Sequence, residues 1–215
     1  RNALGVNLTC FKPANEQQQE PSKDGLKIIY AGSLSVRKGI ADLLEGFALA
    51  SLPKASLKLL GGKTSELKPL LNRQPEQVEA LGHVPQVELV EHYQHSHCFV
   101  LASIEEGMAM VQMQALACGL PLICTTNTGG EDLLKLAGSE GKPLGLGIQQ
   151  FPAGFLIPIH SPKAISSCLR KIANEKSLWA SMRSEAIKLA SNQLSWERYG
   201  ERAIEHYRDL IEAGK

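Results

Sequence analysis

The sequence predicts an α/β protein built on a doubly wound parallel sheet, and three observations carry that prediction. From residue 26 onward, short apolar runs alternate with amphipathic stretches. Strands separated by helices cannot close as tight hairpins, so they pair in parallel and are covered on both faces. Several runs stop at glycine, at Gly32, Gly61-Gly62 and Gly82, and ligands of such sheets sit beyond the carboxyl ends of the strands. Finally, residues 98–130 read as strand, acidic glycine loop, helix, strand and glycine loop, which brings two strand ends and one helix N-terminus to a common edge.

Residues 1–25 come first, with a polar stretch over 12–25 that carries Pro13, Pro21 and the glutamines 17–19 and reads as a linker and mobile segment. Strands are predicted at 26–31, 56–60, 78–81, 98–102, 120–124 and 155–159, each a short run rich in aliphatic residues. Helices are predicted at 40–50, 66–72, 87–95, 109–118, 131–136, 162–174, 178–191 and 196–212. Residues 138–154, which include Gly145-Leu146-Gly147, show no period and read as a long irregular loop, mobile or functional. In the last helix, Ser195 is a suitable N-cap for a stretch carrying Trp196, Tyr199, Ile204 and Tyr207. That helix lies past the last strand, placed to cover the domain or to reach another one. The expected domains are thus 1–25, 26–194 and 195–215.

Composition narrows the function. Lys and Arg number 23 against 22 Asp and Glu, so no basic field argues for nucleic acid. No apolar run approaches the roughly 18 residues that span a bilayer. Cys10, Cys98, Cys118, Cys124 and Cys168 are odd in number, scattered and without a CxxC pair, as expected of reduced core residues in a cytoplasmic protein. The start at Arg1-Asn2-Ala3-Leu4 is neither a signal peptide nor a Met start, so the chain reads as a fragment.

The chemistry concentrates in residues 103–133. A helix N-terminus offers unpaired N–H groups and a positive dipole suited to a phosphate. The Glu105-Glu106 pair just before it cannot bind phosphate and must face hydroxyls instead. A site that pairs phosphate with hydroxyls suits a nucleotide-sugar. Rival sites are weaker. His92 and His95 share a helical face, but His97 lies near the helix end and no carboxylate or cysteine completes a metal set. Gly145-Leu146-Gly147 does not sit between strand and helix, so it is no dinucleotide fingerprint, and no Gly-x-Ser-x-Gly elbow occurs.

These residues resemble the C-terminal half of the retaining glycosyltransferases of family four, which have the GT-B fold. The resemblance runs from Gly5-Val6-Asn7, Phe11 and Pro13 to Ser195-Trp196-Glu197. Its center is similar to the family's acidic motif of a Glu, seven residues and a second Glu. Glu106 fits the first position, and Gln114 stands at the second. Gly107-Met108-Ala109-Met110 falls where the family usually has a Gly-Phe-Gly-Leu-like loop, and 115–121 resembles the run after the second acid.

The resemblance implies a Rossmann-like domain that binds the donor of a hexose-type transfer. Glu106 would act on the donor sugar as the catalytic carboxylate. The amides of Gly107, Met108, Ala109 and Met110 would line sugar and diphosphate, and Gln114 would meet the ribose. Gln offers one carbonyl and one NH₂ where a carboxylate accepts two bonds, and a plain helix-face residue is the alternative. Lys38 matches the family's diphosphate lysine. Ser33 stands at the family's usual Arg site, so Arg37 would supply the second charge unless both belong to an ordinary basic turn. Gly62, His83 and Val84 lie where the family receives the nucleoside. Gly129-Gly130 resembles the loop that closes on the donor, and Glu131 or Asp132 equally suits a helix cap. Glu105 is expected to point away from the site. The donor would be a substrate and no cofactor or metal is implied. The acceptor would come through an N-terminal domain, with room for peripheral membrane association of the whole protein at the inner face. Another GT-B enzyme, of phosphorylase or epimerase type, and a non-catalytic sugar-nucleotide-binding module stay open.

Overall fold

The computed structural model describes residues 4–14, 20–21, 25–72 and 74–213. Among these, eight strands form one sheet: β1 (Lys27–Ala31), β2 (Ser56–Leu60), β3 (Val78–Gly82), β4 (Cys98–Leu101), β5 (Leu122–Thr125), β6 (Lys142–Gly145), β7 (Ile148–Phe151) and β8 (Gly154–Ile157). Their spatial order is β3-β2-β1-β4-β5-β8-β7-β6. The pairs from β3 across to β8 are parallel, and β7 and β6 then add as antiparallel strands. The chain steps outward from β1 in one direction and then, from β4, in the other. The crevice for a ligand therefore opens between the ends of β1 and β4.

The helices are α1 (Ile40–Ala50), α2 (Lys68–Leu71), α3 (Gln86–Gln94), α4 (Met110–Ala117), α5 (Gly130–Lys135), α6 (Pro162–Asn174), α7 (Lys176–Gln193) and α8 (Trp196–Ala213). Right-handed crossovers in opposite directions set α1 and α4 on opposite faces of the sheet. α6 then packs along α1, and α7 along α4. Strands covered on both faces have no polar side. Every residue of β4, β5 and β8 is buried, and this is why they read as unbroken apolar runs. At the far edge, the Trp179 indole donates to the His97 carbonyl at 2.8 Å, tying α7 to the start of β4.

The structure corrects the sequence reading in three places. The 138–154 segment is not an irregular loop, because β6 and β7 form a hairpin that continues the sheet through β8. Its turn, Gly145-Leu146-Gly147, holds three left-handed residues in succession (φ 89°, 53° and 72°). All four β6 residues are exposed, so no apolar alternation marked the strand. Pro143 is tolerated there because β6 is an edge. The predicted 66–72 helix is a 3-10 turn, Ser65–Leu67, followed by the short α2, with Pro69 in its first turn.

The amino-terminal segment is also packed rather than loose where it is described. Val6 and Phe11 are buried, the Val6 N–H donates to the Leu194 carbonyl at 2.7 Å, and Phe11 meets the Tyr93 ring. The glutamines 17–19 lie outside the described residues. Ser195 does cap α8, its hydroxyl accepting the Arg198 N–H at 3.2 Å.

Candidate functional site

The site begins at the end of β1. Gly32 donates its N–H to the Leu60 carbonyl at 2.8 Å, and Gly61 donates to Gly82 at 2.7 Å, so the ends of three strands are knitted side by side. Buried Tyr30 donates its hydroxyl to the Ser33 carbonyl at 2.8 Å and fixes the turn. The chain then makes a 3-10 turn, Val36–Lys38, that stops at Gly39 with φ 65°. A Cβ at Gly39 would overlap the Ala102 carbonyl at the end of β4. Glycine therefore lets the basic turn lie directly against β4, a contact no other residue permits.

That contact brings Arg37 and Lys38 to the loop after β4. Ile104 donates its N–H to the Arg37 carbonyl at 2.9 Å, and Arg37 Nη1 donates to the Glu105 carbonyl at 3.1 Å. Lys38 Nζ meets Glu106 Oε2 in an ion pair whose side chains are only 13% and 20% exposed. Burial, then the neighboring Arg37 charge, lowers the Lys38 ammonium below its ordinary value, while the Glu106 carboxylate opposes that trend by favoring the charged form.

The loop after β5 completes the frame. Thr125 Oγ1 donates to the Ser103 carbonyl at 2.5 Å, Asn127 Nδ2 donates to Ile104 at 2.9 Å, and the Glu106 N–H donates to Asn127 at 2.8 Å. Gln112, fully buried on α4, donates Nε2 to the Thr128 carbonyl at 2.8 Å. This holds the Gly129 turn against Gly107 and Met108. α4 itself starts at Ala109 and Met110 with no side-chain cap and no acid in its first turn, so its amides and dipole are uncompensated from within the helix.

Two cavities open at this edge. The larger, about 420 Å³, is bordered by Glu105, Glu106, Gly107, Met108, Thr126, Asn127, Gly129 and Asp132. The smaller, about 200 Å³, is bordered by Gly32, Gly61, His83, Val84 and Val111 among others. The structure thus gathers Arg37, Lys38, Glu106 and residues 107–110 at one place, and His83 and Val84 beside them. Gly61 borders the smaller cavity, and Gly62 next to it accepts the Leu34 N–H at 2.8 Å. Gln114 is 5% exposed and its Oε1 has no hydrogen-bond partner among the described residues. Glu105 also borders the larger cavity.

Sequence reasoning missed Thr126, Asn127 and Gln112. The polar run before Gly129-Gly130 was a usable signal for the first two, whereas a glutamine in an apolar helix gave none. The histidines separate: His92 and His95 border a cavity of about 390 Å³ at the opposite strand edge, while His97 is buried and accepts the Lys27 N–H at 2.9 Å. No group of three metal-ligating side chains occurs among the described residues.

A family model described as "Glycosyl transferases group 1" matches residues 11–189. The chain is 25% identical over 232 residues to D-inositol 3-phosphate glycosyltransferase 1 of Catenulispora acidiphila, covering 98% of this chain and 51% of that one. Of solved structures, the C-terminal domain of a glycosyl transferase group 1 family protein from Francisella tularensis matches with TM-score 0.71 at 18% identity, covering 89% of this chain and 99% of that one. An Anabaena protein solved in complex with UDP and glucose matches with TM-score 0.73 at 16% identity, over 95% of this chain and 55% of that one. The chain spans about half the length of the curated relatives it matches.

Proposed function

The chain belongs to the group 1 glycosyl transferases, and from that membership we propose that it is the donor-binding half of a transferase moving a hexose-type sugar from a nucleoside diphosphate to an acceptor. The observation that carries this reading is the Lys38–Glu106 pair. It sets a cation for the departing diphosphate next to a carboxylate for the sugar, at the crevice between β1 and β4.

In this reading the nucleoside enters the smaller cavity beside His83, Val84 and Gly61. Val111 borders that cavity, and Gln114 lies three residues on, hence on the same helical face. Its unpartnered Oε1 is placed to accept from a ribose hydroxyl. The diphosphate lies across Lys38, Arg37 and the amides of residues 107–110, and the sugar fills the larger cavity. As the bond to the anomeric carbon breaks, negative charge grows on the diphosphate and positive charge on the sugar. Lys38, Arg37 and the start of α4 stabilize the first, and Glu106 the second.

Retention of anomeric configuration follows from the resemblance, with the acceptor approaching on the side of the leaving phosphate. The acceptor site belongs to the rest of the whole protein, and this chain alone transfers nothing. The amide at Gln114 favors one second reading, a sugar-nucleotide-binding module without turnover.

The test is titration of the purified whole protein with UDP and GDP, with EDTA present, followed by a thermal-shift screen of nucleotide-sugars. A ligand that binds the folded state raises the melting temperature. Binding of one nucleoside diphosphate, unchanged by EDTA or magnesium, is expected. No binding would end the reading, and binding that requires magnesium would end the argument that the Lys38 loop supplies the charge. Turnover with a donor that binds excludes the non-catalytic module.

A further inference from the structure

We propose that Gln112 is a positioning residue for the donor sugar, setting the gap between two loops that border the larger cavity. The inference rests on the reading that this cavity receives the sugar. One loop brings Gly107 and Met108, just before α4, and the other brings Thr126, Asn127 and Gly129, just after β5. Gln112 is tied to both from a fully buried position, so it acts on the sugar only through them.

The tie has two ends. The Gln112 main-chain N–H donates to the Ala109 carbonyl at 3.0 Å, at the start of α4, and its side-chain Nε2 donates to the Thr128 carbonyl at 2.8 Å. The Thr128 hydroxyl donates to the Thr125 carbonyl at 2.7 Å and accepts the Gly130 N–H at 3.3 Å. Space between the loops is tight. A Cβ at Gly129 would lie 3.0 Å from the Gly107 carbonyl oxygen, and one at Gly130 would lie 2.6 Å from Gln112 Oε1.

Packing alone does not call for an amide here. A buried polar group costs stability unless it is hydrogen-bonded, and methionine would fill a similar length of the same helix. Methionine would, however, take the Nε2 donor away from the Thr128 carbonyl and free the Gly129 turn to shift against Gly107 and Met108. The sugar would then lose hydrogen bonds that depend on both loops. The nucleoside side of α4 is separate, because Gln114 lies two residues on and faces away from Gln112 around the helix. Loss of the tie therefore bears on the sugar and spares the nucleotide.

The experiment is calorimetric titration of the whole protein with UDP, UDP-glucose and UDP-N-acetylglucosamine, and with GDP and GDP-mannose. The readout is the affinity for the donor that binds, divided by the affinity for its bare nucleotide. Gln112→Met should lower that ratio by about fivefold or more, as loss of a hydrogen bond requires. Bare-nucleotide affinity should stay within about twofold, which also reports that the variant is folded. Gln112→Glu supplies the rescue. Burial raises the pKa of the new carboxyl; above that pKa it cannot donate to the Thr128 carbonyl, and below it the neutral acid can. Relative to the native protein at the same pH, its ratio should be low at about pH 8 and recover at about pH 5.5. This variant decides the matter if Gln112→Met does not fold. An unchanged ratio in Gln112→Met, no recovery at low pH in Gln112→Glu, or parallel loss of donor and bare-nucleotide binding in Gln112→Glu overturns the proposal and leaves the donor-site reading intact. Absence of nucleotide and donor binding in the native protein overturns that reading, and the inference with it.

Discussion

At the scale of single residues, the site depends on two opposite charges that hold each other. Lys38 and Glu106 are more than two-thirds removed from solvent, so their interaction is less screened than a surface pair. Lys38→Ala should weaken nucleoside-diphosphate binding by about 1.5–3 kcal/mol, the range of a charged hydrogen bond, and nucleoside monophosphate binding by less. Equal losses for both ligands would mean that Lys38 does not read the distal phosphate. Glu106→Gln keeps shape and removes charge, so turnover of the whole protein should fall steeply while diphosphate affinity changes little. Near-normal turnover would move the acidic role elsewhere. Because each residue restrains the other, the double substitution should cost less than the sum of the singles. Both residues stood out in the sequence through the resemblance, Lys38 in the basic turn before Gly39 and Glu106 at the first position of the acidic motif. Asn127 and Gln112 had no assigned place because their positions depend on hydrogen bonds between loops distant in sequence, Asn127 to Ile104 and Gln112 to Thr128.

At the scale of elements, β1, β4, β5 and β8 were legible because burial on both faces forces continuous apolar runs. The β6–β7 hairpin was not. Its edge strand reads Lys-Pro-Leu-Gly with every residue exposed, and the backbone pairing that defines it leaves no trace in hydropathy. The 3-10 turn at Val36–Lys38 was likewise read only as a loop, yet its position decides whether the cations reach β4 at all. Gly39 makes that position available, with φ 65° and the Ala102 carbonyl where a Cβ would stand. Gly39→Ala should therefore destabilize the domain by about 2 kcal/mol or more, since both strain and overlap oppose it. It should also weaken nucleotide binding by displacing Lys38. Denaturant unfolding measures the first effect and calorimetry the second. Wild-type stability in Gly39→Ala would show that the turn can shift away from β4 without loss.

At the scale of the whole molecule, the feature left unsatisfied is α8. Its contacts among the described residues include the end of α7 and Gly5. Trp196, Ile204, Tyr207, Leu210 and Ile211 are all exposed, between 47% and 67%. Ile204, Tyr207, Leu210 and Ile211 recur at spacings of three, three and one, so they form one stripe along the helix. A stripe of this size on a helix beyond the sheet needs a cover, because fully burying each such side chain is worth roughly 1.5–3 kcal/mol. In a protein twice this length, the other half is the natural cover, and α8 would then set the distance between donor and acceptor. Replacing Ile204 and Leu210 with Asp in the whole protein should leave nucleoside-diphosphate affinity within about twofold, because among the described residues none of α8 borders the two cavities at that edge. Transfer should nevertheless fall by an order of magnitude or more, since a small misplacement of the reacting groups is enough to lose that much. Limited proteolysis of the variant should also cut more readily between the halves. Unchanged transfer with unchanged proteolysis would place the cover of α8 outside the protein, and a parallel loss of nucleotide affinity would show that α8 supports the donor site itself.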